Sequence, residues 1–132
     1  MIGTTIASQF PKVPPVVLVV EDEPLLRMMA VDMVESAGFE AVEATDATDA
    51  IRILEQRTDI RIVFTDIDMP RGVDGMRLAA AIRDRWPPIE IIITSGQVDA
   101  PDVSLPVRSV FFSKPYRENE VIAEMRRMAS LQ

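Results

Sequence analysis

IRIVFTDIDMP, residues 60–70, is the stretch from which the architecture follows. Ile60 to Thr65 is rich in apolar and β-branched residues and reads as a strand. The chain then delivers two carboxylates, Asp66 and Asp68, just before Pro70. Upstream, Val16 to Val20 is a continuous apolar run, the pattern of a strand buried on both faces of a parallel sheet, and it too ends in acid, Glu21-Asp22-Glu23.

Between these two strands the pattern changes period. Pro24 stands at a good first-turn position, Leu25 to Ala37 reads as a helix, and Gly38 stops it. Phe39 to Ala44 is a second strand. A second helix opens near Asp46 and places Ala47, Ala50, Ile51 and Leu54 on one face. Downstream of the quoted stretch, Gly75 to Trp86 predicts a third helix, ended by Pro87-Pro88. Ile89 to Thr94 is a fourth strand and Val110 to Ser113 a short fifth. A last helix aligns Val121, Ile122, Met125, Met128 and Ala129, with Glu118 and Glu120 near its start and Arg126 and Arg127 near its end, matching the macrodipole. Strand and helix alternate, so the expected fold is α/β, an open, doubly wound, mostly parallel sheet with helices on both faces. Gln97 to Ser109 carries Pro101 and Pro106 and no helical stripe, so a helix there should be short or missing.

Composition narrows the chemistry. The chain has 132 residues, a one-domain length, and 48% of them are apolar. Residues 1–14 read as a loose extension and 15–132 as the domain. Cysteine and histidine are both absent, so thiolate sites, imidazole bases and phosphohistidine on this chain are excluded, and any metal must be a hard ion held by oxygen. A net charge of −7 disfavours nucleic acid as a partner. No apolar run approaches the ~18–20 residues of a membrane span, and the N-terminus lacks a secretory pattern, so the expected location is the cytoplasm.

In open parallel sheets, ligands bind beyond the carboxyl ends of the strands. Glu21 and Asp22, Asp66 and Asp68, Thr94-Ser95, and Lys114-Pro115 all fall there, each from a different strand. Several carboxylates in a small volume cannot all stay ionised unless a cation relieves them, and magnesium, which keeps several waters, suits a site with few oxygen donors. A metal beside a carboxylate, a lysine and a hydroxyl is equipment for phosphoryl transfer, with the carboxylate able to serve as nucleophile.

The stretches VVLVVEDEPLLR, IVFTDIDMPRGVDGMRLA, IEIIITSG and VFFSKPY together resemble the receiver domain of two-component response regulators, in the right order across residues 15–131. The resemblance implies a flavodoxin-like five-stranded sheet of order 2-1-3-4-5, which sets Asp22 beside Asp66. It implies Asp66 as phosphoacceptor, and magnesium, or manganese in its place, held by Asp22, Asp66, the backbone carbonyl of Asp68 and, through water, Glu21. Lys114 would pair with the phosphoryl oxygens and Thr94 would donate to them. Phe111 would be the aromatic that changes rotamer, and Lys114-Pro115 a cis peptide. The phosphoryl donor would be a histidine kinase or phosphotransfer protein, and the product would switch contact with an unidentified downstream protein. The domain, a monomer or weak dimer, would act as a phosphoacceptor with self-catalysed transfer and slow autodephosphorylation and not as an enzyme with an external substrate. The chain stops soon after its last helix, so the reading expects no attached output module.

Two departures stand out. MPRGVDG is one residue longer than the common form of that loop. Asp68 adds a charge where attacking water would approach, so Asp68, with Ser95, is expected to modulate dephosphorylation. A rival reading notes that Asp66-Ile67-Asp68 resembles the opening of haloacid-dehalogenase-type phosphatases, although Pro70 breaks that motif and a substrate-covering cap is lacking. A third reading is an interaction module that needs no phosphate. Met28, Met29, Met33 and Met125 read as helix-face packing, and Arg83 and Arg85 as solvated surface.

Overall fold

The computed structural model of the chain describes residues 13–68, 75–96 and 105–130. Through them run β1 (Val16–Val20), α1 (Pro24–Ser36), β2 (Glu40–Ala44), α2 (Ala47–Gln56), β3 (Ile60–Asp66), α3 (Gly75–Arg85), β4 (Glu90–Ser95), β5 (Ser109–Ser113) and α4 (Glu118–Ser130). All four strand pairings are parallel and the order is β2-β1-β3-β4-β5, the doubly wound sheet expected. Most of the extension, residues 1–12, and the lengthened loop, 69–74, lie outside the described residues. So does 97–104, most of the interval where a helix was expected to be short or missing. The described remainder, 105–108, turns into β5 with Arg108 at a φ of 60°.

The alternation along each strand divides the core into two layers. Val16, Leu18 and Val20 face the side covered by α2 and α3, where Ala50, Leu54, Leu78 and Ile82 are buried. Val17 and Val19 face the side covered by α1 and α4, against Val34, Val121, Met125 and Met128. The middle strands are therefore apolar on both faces, and Ile91, Ile92 and Ile93 are fully buried. Each such side chain contributes about 1.5–3 kcal/mol of transfer free energy.

Local chemistry fixes the helix ends. Pro24 occupies the first turn of α1. At the other end Gly38 adopts a φ of 95°, and the Gly38 and Phe39 N–H groups donate back to the carbonyls of Glu35 and Val34 at 3.0 and 3.3 Å. A side chain in that left-handed conformation is unfavourable, which is why glycine ends the helix. For α2, the Asp46 carboxylate caps the Asp49 N–H at 2.7 Å, and Asp49 in turn accepts from the Thr45 N–H at 3.0 Å.

Two expectations are corrected. Met33 and Met125 are buried, but Met28 and Met29 are 59% and 52% exposed, because α1 buries only the stripe of Ala30, Met33 and Val34. Arg83 is not simply solvated. Its guanidinium donates to the carbonyls of Val107 at 2.7 Å and Ile89 at 2.8 Å, and also to that of Pro87. Arg85 pairs with Glu55 at 2.8 Å and lies over the Trp86 ring at 4.4 Å.

Candidate functional site

Strand register builds the site. Asp66, the last residue of β3, lies opposite Thr94 on β4, and Ser95 lies opposite Ser113 on β5, one residue before Lys114. The sheet order then sets the end of β1 on the other side of β3. Three backbone bonds tie these ends together: Ile67 N–H to the Thr94 carbonyl at 3.0 Å, Lys114 N–H to the Ser95 carbonyl at 2.8 Å, and Glu21 N–H to the Ala44 carbonyl at 3.2 Å.

Asp66 is buried, and both of its carboxylate oxygens are engaged. Lys114 Nζ donates to Oδ2 at 3.0 Å, while the Asp68 N–H donates to Oδ1 at 3.0 Å. The Lys114-Pro115 peptide is cis, as expected. Gly75, the first residue of α3, packs so closely that an added Cβ would meet the Ile67 Cα at 2.6 Å and the Asp66 carbonyl oxygen at 2.7 Å. Only a residue without a side chain permits that approach.

A groove of about 450 Å³ opens beside the pair. Its polar lining is Glu21, Asp66, Thr94, Lys114 and Glu118, and its apolar lining Leu26, Met29, Ala30, Phe64, Pro115 and Tyr116. Phe64 and Tyr116 meet edge to face with centroids 6.0 Å apart. Thr94 is buried.

Electrostatics inside the groove are unbalanced. Burial pushes the Glu21 carboxyl up to about 7; the Glu23 N–H opposes this, while a hydrogen bond with Asp22 and the charge of Asp66 reinforce it. Burial also raises the Tyr116 phenol, helped by Glu118, Glu21 and Asp66. The Glu21 and Asp66 carboxylates that line the groove offer oxygen donors, the type that a hard divalent cation takes.

The expected residues do not all converge equally. Glu21, Asp66, Thr94 and Lys114 share the groove. Asp22 is exposed at the end of β1, and among the described residues no group of three or more Asp or Glu side chains is assembled as a metal site. Phe111 is half-buried on the α2/α3 side, and its neighbour Phe112 packs on the opposite face. The Asp68 carboxylate belongs to a half-buried residue and turns toward the end of β4. It accepts from Ser95 Oγ at 2.9 and 3.1 Å and from the Gly96 N–H at 2.8 Å. Sequence reasoning missed Tyr116 and Arg27. Arg27 donates from Nη1 to the Glu21 carbonyl at 2.9 Å and from Nε to Glu43 at 3.2 Å. Tyr116 adjoins the Lys114-Pro115 pair and was legible from that position. Arg27 sits on a helix face with no signal to set it apart.

Comparison with known proteins bears on the same residues. The family model for the response regulator receiver domain matches residues 17–126. Sensor kinase CckA of Brucella abortus is 30% identical over 120 residues, 88% of this chain and 13% of that protein. Aerobic respiration control protein ArcA of Escherichia coli is 29% identical over 119 residues, 88% of this chain and 49% of that protein. The chain thus spans half or less of these two relatives. The crystal structure of a response regulator receiver protein from Pseudomonas putida superposes with a TM-score of 0.78 at 27% identity, over 89% of this chain and 99% of that one. Among the described residues no helix is long and apolar enough to cross a membrane.

Proposed function

Because the chain belongs to the response regulator receiver domain family, we propose that Asp66 accepts a phosphoryl group in a magnesium-dependent reaction and that the modified domain switches a protein contact in the cytoplasm. The observation that carries this reading is the buried Asp66 carboxylate held at 3.0 Å by Lys114 at the floor of an open groove.

The chemistry follows from the residues. An Asp66 carboxylate oxygen attacks the phosphorus of a phosphoramidate or acyl phosphate. The donor's bond to phosphorus breaks as the new P–O bond forms, and the donor leaves with the electron pair. Lys114 offsets negative charge on the transferred group, and Thr94, which lines the same groove, would donate a hydrogen bond to it. Asp22, Asp66, the Asp68 carbonyl and, through water, Glu21 would hold the magnesium. When bound, that ion supplies charge neutralisation between donor and acceptor. The phosphoryl dianion then biases an equilibrium in which Thr94 moves toward Asp66 and Phe111 packs inward. A histidine kinase or phosphotransfer protein is the donor that this chemistry suits.

Tethering of the Asp68 carboxylate to Ser95 and Gly96 supports the acceptor reading over a phosphatase, which would use that group as general acid. Incubation with a small acyl phosphate and magnesium should label the chain at one site, and Asp66→Asn should abolish the label. Label surviving that substitution would remove Asp66 as acceptor. Steady turnover of a phosphate monoester would favour the hydrolase instead.

A further inference from the structure

The bridge from Asp68 to the end of β4 does something the acceptor chemistry alone does not require. Asp68 follows the acceptor by two residues, yet its carboxylate reaches a segment 27 and 28 residues further along the chain. Ser95, fully buried, offers its single hydroxyl proton to both Asp68 oxygens, and the Gly96 N–H completes the grip. Hydrogen bonds to an ionised acceptor are the stronger class. Thr94, the residue expected to move toward a phosphoryl group, precedes this anchored pair directly.

We propose that Asp68, Ser95 and Gly96 form a latch that holds the end of β4 in the unphosphorylated position and opens when Asp66 carries a phosphoryl group. Opening has a physical cause. A dianion on Asp66 stands two residues from the Asp68 carboxylate and repels it. The same dianion attracts the donors at the end of β4, so the latch loses on both sides at once. Asp68 and Ser95 are accordingly positioning residues, acting on the switch through Thr94. The inference rests on the acceptor reading and adds to it the element that sets the energy of the inactive state.

Magnesium with beryllofluoride, which mimics the phosphoryl group, tests this on the intact chain. Ser95→Ala and Asp68→Ala should each raise affinity for the mimic, by about three- to tenfold if one or two such bonds oppose the bound state. The double variant should gain no more than either single one, because both remove the same latch. In the wild-type chain, exchange of the Gly96 amide proton should be slow when free and faster with the mimic bound, a readout that needs no variant to fold. A gain for Asp68→Ala alone would mean plain charge repulsion and overturn the latch. Weaker binding by Ser95→Ala would mean the hydroxyl serves the phosphoryl group directly, which overturns the latch as well. Equal protection of Gly96 in both states also overturns it. If the wild-type chain fails to bind the mimic at all, the acceptor reading falls and takes the latch with it. Binding without these differences defeats the latch alone.

Discussion

The two ends of the sheet carry similar amounts of polar chemistry and use it in opposite ways. At the amino end, where strands begin, charge is satisfied from within. Arg83 is fastened to backbone carbonyls of the segments entering β4 and β5, and Arg57 grips Asp59 through two bonds of 2.9 and 2.6 Å. Arg85 is matched by Glu55 and by the face of Trp86. At the carboxyl end, among the described residues, Lys114 answers Asp66, burial raises the Glu21 carboxyl to about 7, and an open groove adjoins them. At the amino end these three cations are all matched. The other end sets carboxylates side by side, an excess of negative charge that a cation would offset, and such imbalance marks functional sites more often than structural ones.

If this contrast is right, damage at each end should produce a different kind of failure. The largest effect should come from Lys114→Met, which removes the cation facing Asp66. Phosphorylation by a small acyl phosphate should slow by about 10²–10³-fold, a loss typical of deleting one preorganised charge partner, while the thermal melt stays cooperative. A rate within twofold of wild type would erase the distinction between the two ends. Gly75→Ala tests the backbone at the same carboxyl end, since the new methyl must displace Asp66 and Ile67. It should destabilise by about 1–3 kcal/mol in denaturant titration and also slow phosphorylation.

Part of this contrast was legible in the sequence. Buried strands announce themselves by unbroken β-branched runs, so the alternating α/β class followed from pattern. The strand ends predicted that Asp66 and Lys114 would share one edge, while the strand order came only from the family resemblance. The latch was not legible, because it joins the turn after β3 to the last residue of β4, whose side chains choose partners only after the two strands are in register. Arg83 was misread for a related reason: its partners are carbonyls, which carry no sequence signature. Met28 and Met29 were misread because apolar identity does not say which way a helix with few buried positions is turned.

At the amino end the expected effects are smaller and fall on stability. Arg83→Met should cost about 1 kcal/mol, chiefly by leaving the partly buried Ile89 carbonyl without its donor, and should leave the rate of phosphorylation at magnesium saturation within about twofold of wild type. A smaller effect is expected from Asp59→Asn. The Arg57 guanidinium holds the Asp59 carboxyl below its ordinary range. Its contribution is therefore present above the unfolded-state value and lost as pH falls through the lowered native one. The pair is exposed, so the stability difference near neutral pH should be under about 1 kcal/mol and should vanish in strong acid. A difference that persists there would assign the effect to something other than this charge.

The aromatic inventory turns the same geography into an optical instrument. Trp86 is the chain's single tryptophan and sits under Arg85 at the amino end, whereas Tyr116, its single tyrosine, borders the groove beside Phe64. Indole fluorescence should therefore follow unfolding and remain silent when magnesium or beryllofluoride is added. The phenol's near-ultraviolet signal should respond to both, so one sample carries an internal reference and an internal sensor without any dye.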